Sequence, residues 1–313
     1  MRPLLVALEA EEPLARPLAV AINAEIAQMS RRQFPDGESY LRYDTSPAGR
    51  PVVLLSSLDR PDGKFLPLVF AAATARELGA ASVGLVAPYL AYMRQDKRFH
   101  SGEVVTSTLF ARLLSQEIGW LVTVDPHLHR HDSLEEIYSV PAVAVHAAPL
   151  LADWIRDNVE RPLLIGPDGE SAQWVRAVAE AAAAPHVVLE KVRHGDLDVE
   201  VSVPQVERWR THIPVLVDDI VSSGRTLIET LGHLKKAGMQ PPVCVAVHGI
   251  FAGDAYRDLI AAGAAQIVTT NTVRHQSNAI DVAPLARRRR ARFYGRRIAS
   301  VEYPMRCRCE PPI

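Results

Sequence analysis

Val215-Leu216-Val217-Asp218-Asp219-Ile220-Val221-Ser222-Ser223-Gly224-Arg225-Thr226-Leu227 passes from an apolar run through two adjacent acids into small and hydroxyl residues, then into a helical pattern. The acids are expected where a buried strand stops, with Ser222, Ser223, Gly224 and Thr226 at the start of the next helix. A helix start leaves backbone N–H groups without partners, and hydroxyls beside them add donors, so the place suits a phosphate. Asp218 and Asp219 are positioned to hold a sugar hydroxyl or a divalent cation. Together these residues point to an anionic sugar phosphate.

Strand and helix patterns alternate on both sides of this stretch. Upstream lie an apolar run at Leu4–Leu8, a helical pattern from Leu14 to Met29, a polar, turn-rich segment at 32–43, a strand at Pro51–Ser56 and a helix at Leu66–Leu78. Strands at Ser82–Ala87 and Leu121–Val124 flank a helix at Thr106–Ile118. A helix at Ala148–Asn158 opens the second half. There, strands at 163–165, 186–189, 215–217, 243–248 and 265–269 alternate with helices at 171–183, 227–237 and 254–262. Such alternation predicts the α/β class: two similar units, each a mainly parallel sheet flanked by helices. The boundary is expected near 145–160, which divides the chain into 1–148, 149–285 and an arginine-rich segment 286–313 that returns to pack on the first unit.

The chain has 313 residues, enough for two domains, with 48% hydrophobic and 23% charged residues and a formal net charge of −1. No global field favours nucleic acid, which is not expected as a partner; the run Arg287–Arg292 reads as a solvated face or a contact with a neighbouring subunit. Cys244, Cys307 and Cys309 make neither a disulfide framework nor a four-thiolate metal site, so a cytoplasmic location is expected. Glu9, Glu11 and Glu12 behind the first apolar run argue against a signal peptide, and no run approaches the ~20 residues that span a bilayer.

Ligands of open α/β sheets bind beyond the carboxyl ends of strands. Besides Asp218-Asp219, three polar clusters sit there: Asp125-Pro126-His127, Pro167-Asp168-Gly169-Glu170-Ser171 and Thr269-Thr270-Asn271-Thr272. Any one of them reads equally well as a turn or a helix cap; four after four strands favour a site. Asp125 and His127 alternate and could ligate Mg²⁺ or orient the phosphates that carry it. His129 and His131 continue the alternation and would admit a softer metal. Arg94-Gln95-Asp96-Lys97-Arg98 beside Tyr89 and Tyr92 suits a polyphosphate and a purine ring. Lys191 and Arg193 follow a strand and could neutralise charge on a transferring phosphoryl group. A Gly-x-x-x-x-Gly-Lys-Ser/Thr loop and a Gly-x-Gly-x-x-Gly fingerprint are both absent, which disfavours P-loop ATPase and nicotinamide chemistry.

In order and spacing, five segments resemble the ribose-phosphate pyrophosphokinases (phosphoribosyl pyrophosphate synthases), and their archaeal-type branch in particular. They are Phe34-Pro35-Asp36-Gly37-Glu38, Pro88-Tyr89 to Lys97, Asp125-Pro126-His127, Glu190-Lys191-Val192-Arg193 and Val217 to Thr226. The resemblance implies two phosphoribosyltransferase-like α/β domains in a homodimer or higher oligomer. It implies a reaction in which the diphosphoryl group of Mg-ATP moves to the C1 hydroxyl of ribose 5-phosphate. By resemblance, Phe34 stacks on adenine, Asp36 and Glu38 hold the base or ribose across a subunit interface, and Arg94, Gln95, Asp96 and His127 bind ATP. Asp125, His127 and Asp168 are the implied magnesium positions, with Asp168 in the diphosphate-loop region. Lys191 and Arg193 are the implied catalytic pair, Asp218 and Asp219 the acids at the ribose hydroxyls, and Ser222, Ser223, Gly224, Arg225 and Thr226 the 5-phosphate loop. The chain departs from the family at Glu170, where a small residue is usual, and after Leu285. Two other readings compete: a phosphoribosyltransferase using phosphoribosyl pyrophosphate, and a catalytically silent regulatory homologue. The first would need no ATP pocket at Phe34, Arg94 or His127; the second typically loses the residues that Lys191, Arg193, Asp218 and Asp219 retain.

Overall fold

The computed structural model describes residues 1–9, 12–128, 130–167, 171–194, 198–202 and 206–287, and for 173, 190–194, 198–202, 206–207 and 287 the backbone alone. Its first half runs β1 (Leu4–Ala7), α1 (Ala15–Ile22), β2 (Glu25–Ile26), β3 (Met29–Gln33), β4 (Ser39–Tyr43), β5 (Pro51–Leu55), α2 (Asp62–Glu77), β6 (Ser82–Ala87), α3 (Thr106–Glu117), β7 (Leu121–Val124) and β8 (Ala142–Val145). The second runs α4 (Ala148–Asn158), β9 (Pro162–Gly166), α5 (Ala172–Ala182), β10 (His186–Val188), β11 (Glu190–His194), β12 (Asp198–Ser202), β13 (Ile213–Val221), α6 (Arg225–Lys236), β14 (Val243–Gly249), α7 (Ala255–Ala261), β15 (Gln266–Thr270), β16 (Asn278–Ile280) and α8 (Ala283–Arg287).

Two six-stranded sheets result, ordered β2-β1-β5-β6-β7-β8 and β10-β9-β13-β14-β15-β16, with parallel neighbours throughout. Both reverse direction of growth after their second strand, and at that point both carry one inserted antiparallel hairpin: β3–β4 in the first half and β11–β12 in the second. The halves are therefore topological repeats. The hairpin bearing Phe34 and the hairpin bearing Lys191 occupy equivalent places in them.

Parallel strands buried on both faces need continuous apolar runs. Val52–Leu55, Leu121–Val124 and Val215–Val217 supply these and are buried. One core is continuous from Leu5, Val53 and Val122 of the first sheet, through Leu151 and Ile155 of α4, to Leu164, Val215 and Val245 of the second. Helix α8 returns to the first half, where Val282, Ala283 and Leu285 meet Leu14, Leu18 and Ile22 of α1 around an apolar void of about 40 Å³. Most of the arginine-rich segment at 286–313 lies outside the described residues.

The helix expected over 14–29 stops at Ile22. Asn23 takes a left-handed conformation at φ 56°, and the Ala24 N–H closes back on Ala19 O at 2.8 Å. That cap frees Glu25 and Ile26 to pair with Leu4 and Leu5. The turn-rich segment at 32–43 belongs to the hairpin β3–β4, folded over the Pro35-Asp36-Gly37 turn with Gly37 at φ 96°. The strand expected to end at Val217 continues to Val221, because β14 supplies ladder partners for Asp218, Ile220 and Val221 at Ala246, His248 and Gly249.

Candidate active site

The carboxyl ends of the two sheets face one another. Ser57, after β5, donates to Thr272 O at 2.6 Å, and His248 in β14 lies 3.1 Å from Val124 O at the end of β7. Beside this seam opens a cleft of about 890 Å³. Its walls bring together Arg94, Asp125, His127, Asp218, Asp219 and the whole segment Ser222–Thr226.

His127 and Asp219 close the cleft's two sides on each other, with Nδ1 donating to Oδ2 at 2.7 Å. Burial alone would push the Asp219 carboxyl up. The His127 hydrogen bond and charge, together with the hydrogen bond to Asp218, outweigh it and hold Asp219 at about 2. Asp219 is therefore a carboxylate at neutral pH, an acceptor of hydrogen bonds rather than a proton source. Asp218 turns inward enough that its Oδ1 accepts the Asp219 N–H at 2.9 Å.

Asp125 forms the back of the cleft. Its backbone is left-handed at φ 33°, and its side chain is only 6% exposed. One carboxylate oxygen accepts from the His146 Nδ1 at 2.8 Å and the other from the Ala147 N–H at 2.7 Å, which caps α4 from another element. Val221 leads to Gly224, at φ 68°, where the N-terminus of α6 begins with no side-chain cap. A Cβ on Gly224 would lie 3.3 Å from Leu259 Cδ1, so both the conformation and the space favour glycine. The first turn of α6 thus lines the cleft with no side-chain cap and no acidic residue of its own.

Other expected residues lie apart. Phe34, Asp36 and Glu38 occupy the tip of the β3–β4 hairpin and do not line the cleft; Phe34 is 37% exposed. The tip is ordered by Phe34 N–H to Glu38 O at 2.8 Å and by the Arg32 guanidinium 4.5 Å over the Phe34 ring. Gln95 accepts from the Thr106 hydroxyl at 3.0 Å, and Asp96 is clamped by Arg130 at 2.9 and 3.0 Å, so these two brace the loop that presents Arg94. Lys191 and Arg193 lie in β11 opposite Val201 and Val199, in a hairpin rather than a simple loop. Asp168, Glu170 and His129 lie outside the described residues. Among the described residues, no group of three or more His, Cys, Asp or Glu side chains converges as a metal ligand set.

His131, Asp132, His146, Ser171 and Trp174 also line the cleft. His131 is visible in the sequence only as part of a histidine alternation, and His146 follows β8, a strand not among those expected from the sequence. The equivalent crevice of the first sheet is filled by protein groups. There the Ser56 hydroxyl donates to Glu9 at 3.0 Å, and Lys64 donates to Asp59 at 2.5 Å and to Ser57 O at 2.6 Å. The two repeats are alike in topology and unlike in chemistry.

Residues 4–118 match the family described as the N-terminal domain of ribose phosphate pyrophosphokinase, and residues 133–287 match the phosphoribosyl transferase domain. A ribose-phosphate pyrophosphokinase of Methanothermobacter thermautotrophicus is 31% identical over 283 residues, covering 90% of this chain and 98% of the relative. The chain belongs to the ribose-phosphate pyrophosphokinase family. Another member, from Methanopyrus kandleri, is 33% identical over 274 residues, covering 87% of this chain and 92% of its own. In fold, the crystal structure of a phosphoribosylpyrophosphate synthetase from Mycobacterium smegmatis superposes with a TM-score of 0.81 over 94% of this chain and 99% of that one, at 24% identity. Its likeness places both sheets in one known arrangement. Across the pyrophosphokinase halves, the cleft falls where the second sheet's switch point meets the end of β7 in the first.

Proposed function

We propose that this pyrophosphokinase transfers the β,γ-diphosphoryl group of ATP to the C1 hydroxyl of ribose 5-phosphate, giving 5-phosphoribosyl 1-diphosphate and AMP. The observation that carries the proposal is the His127–Asp219 bond, which joins an element suited to ATP phosphates to the strand that leads into an anion-binding helix start. The 5-phosphate sits on the N–H groups and hydroxyls of Ser222–Thr226, and the ionised Asp219 with Asp218 accepts hydrogen bonds from the ribose hydroxyls. That orientation brings O1 toward the β-phosphorus of an ATP held by Arg94 and His127. The O1–Pβ bond forms, the bond from Pβ to the α,β-bridging oxygen breaks, AMP leaves with that oxygen, and the O1 proton is released to solvent. Lys191 and Arg193, on the hairpin after β10, meet the charge that spreads over the transferring group.

The donor set suits magnesium carried on ATP. Asp219 is a hard, ionised oxygen donor, whereas both Asp125 oxygens are already occupied by His146 and Ala147. Mg²⁺ keeps several water and phosphate ligands and takes few from protein, so Asp219 and His127, with Asp168, which follows β9 in the sequence, are the residues we assign to its surroundings. When bound, it supplies neutralisation of the phosphate oxygens. Asp125 then acts by shaping the turn that carries His127. The exposed Phe34 ring and its neighbours Asp36 and Glu38 are assigned to the adenosine of ATP in a partner subunit, which makes the active species at least a homodimer. We divide the chain at 148/149 into an ATP-side and a ribose-phosphate-side unit. We place the enzyme in the cytoplasm; no described helix is long and apolar enough to cross a membrane.

Product analysis with purified protein, Mg-ATP and ribose 5-phosphate tests the reading. AMP and phosphoribosyl diphosphate are expected in equal amounts, and ADP with a sugar bisphosphate overturns it. Sedimentation at assay concentration tests the shared site, which a fully active monomer would defeat.

A further inference from the structure

His248 is the penultimate residue of β14 and only 1% exposed, yet its ring makes its bonds outside its own sheet. Its Nε2 lies 3.1 Å from Val124 O and 3.3 Å from Asp125 O, both at the end of β7, and its Nδ1 lies 2.8 Å from Thr272 Oγ1. The Tyr89 ring, just past β6, meets it edge-on with centroids 5.0 Å apart. Carbonyl oxygens only accept, so Nε2 carries the hydrogen and shares it between the two; the bare Nδ1 takes the one hydrogen of the Thr272 hydroxyl, and Val247 O, 3.1 Å from that hydroxyl, is served by the Thr270 hydroxyl at 2.7 Å. Burial pushes the ring's pKa down, against the opposing pull of the Asp125 and Asp219 carboxylates, which agrees with this single tautomer.

The two ends of this contact decide its consequence. The carbonyls it grips lie on either side of Asp125, whose left-handed backbone is a strained conformation that needs outside support. Two residues on is His127. On its own sheet, His248 pairs in register with Ile220, the residue after Asp219. His248 thus holds the base of the His127 turn through its ring and the strand position next to Asp219 through its backbone register.

We propose that His248 is a positioning residue, an Nε2–H strut that sets the spacing between the His127 turn of the first sheet and the Asp219 strand of the second, and so aligns the diphosphoryl donor with the sugar hydroxyl. Its kinetic consequence rests on the diphosphoryl-transfer reading above; the strut itself does not.

His248→Phe keeps the ring and removes both nitrogens, and His248→Gln returns an amide N–H near the Nε2 position. In the Phe variant, kcat falls about 10- to 100-fold, as for a misalignment of up to an ångström. The separate affinities for Mg-ATP and for ribose 5-phosphate, measured by calorimetry, change less than about threefold, because each substrate is held mainly by one sheet. The Gln variant recovers most of the rate. Near-normal kcat in His248→Phe, a loss carried entirely by weakened binding, or a Gln variant no better than Phe overturns the proposal. Ring nitrogen NMR of the wild-type protein needs neither activity nor a folded variant. It is expected to show His248 protonated at Nε2 and bare at Nδ1, and a proton at Nδ1 overturns the strut. Failure of the wild type to form phosphoribosyl diphosphate, with the Nε2 signal present, would remove the diphosphoryl-transfer reading and leave the strut standing.

Discussion

His127 and Asp219 come from different sheets, are separated by 92 positions in the chain, and meet at 2.7 Å. The bond holds the Asp219 carboxyl at about 2 against an ordinary value of 3.8. A depressed acid contributes stability that is present above its unfolded value and is lost as pH falls toward its folded one, here about 2 kcal/mol. Asp219→Asn is therefore expected to lower the denaturant midpoint at pH 7, with the difference from wild type shrinking between about pH 4 and pH 2. The same variant should weaken ribose 5-phosphate binding at neutral pH by about tenfold or more, since a carboxylate acceptor is replaced by an amide. Equal midpoints at pH 7 would show that the bond has no energetic role.

Lys191 stands at a register position opposite Val201 in the β11–β12 hairpin, which is a sheet separate from the one that carries Asp218 and Asp219. Lys191→Ala is expected to cost at least ~10²-fold in turnover with a modest change in ribose 5-phosphate affinity, the pattern of a contact made in the transition state. Steady-state kinetics with a direct binding measurement separates the two effects. Near-normal turnover removes Lys191 from the mechanism.

Asp96 has a side chain only 2% exposed, and both of its oxygens accept from Arg130. Removing the guanidinium leaves an uncompensated buried carboxylate, so Arg130→Ala is expected to destabilise by about 2 kcal/mol. Because that pair braces the loop carrying Arg94, KM for ATP should rise while the affinity for ribose 5-phosphate stays near wild type. Thermal melting and initial rates check both halves.

Glu12 lies beside the polar plug of the first sheet. Burial, opposed by the Leu14 N–H and assisted by the nearby Glu9 charge, raises its carboxyl from 4.5 to about 7. An acid raised on folding favours the native state fully below its unfolded value and loses that contribution as pH climbs through its folded one. Glu12→Gln should therefore gain stability over wild type on going from pH 4.5 to pH 8, by on the order of 1 kcal/mol after allowing for partial exposure. A constant difference across that range would show that Glu12 is not held protonated.

Much of the site can be read from residue order alone. Acids followed by Ser-Ser-Gly-Arg-Thr demand a strand, a left-handed glycine and a helix start, because local backbone chemistry allows little else, and the structure has all three. Arg94, Asp125 and His127 follow from the rule that sheet ligands gather past strand ends. The same rule covers Ser171, the end of the polar cluster after β9, but not His146 and Trp174. His146 reaches the cleft from the end of β8 and Trp174 from α5, and nothing local distinguishes these two from residues facing solvent. His248 shows a weak signal, one imidazole in an apolar run, but the carbonyls it bonds lie 123 and 124 positions away.

The sequence by itself determined the α/β class, the parallel strands, the helix start after Gly224 and the identity of the acids, since each depends on apolar periodicity or on backbone preferences within a few residues. Tertiary structure alone decided where β13 ends, which crevice is open and which acids are spent. Strand β13 runs on to Val221 because β14 offers a ladder beside it. The first repeat's crevice is closed because Lys64 reaches Asp59 and Ser57 within it. Asp125 is occupied by His146 and Ala147, whereas Asp219 reaches across to His127. Hydrogen bonds between groups distant in sequence form only when packing has brought the two sheets together, so no local pattern encodes them.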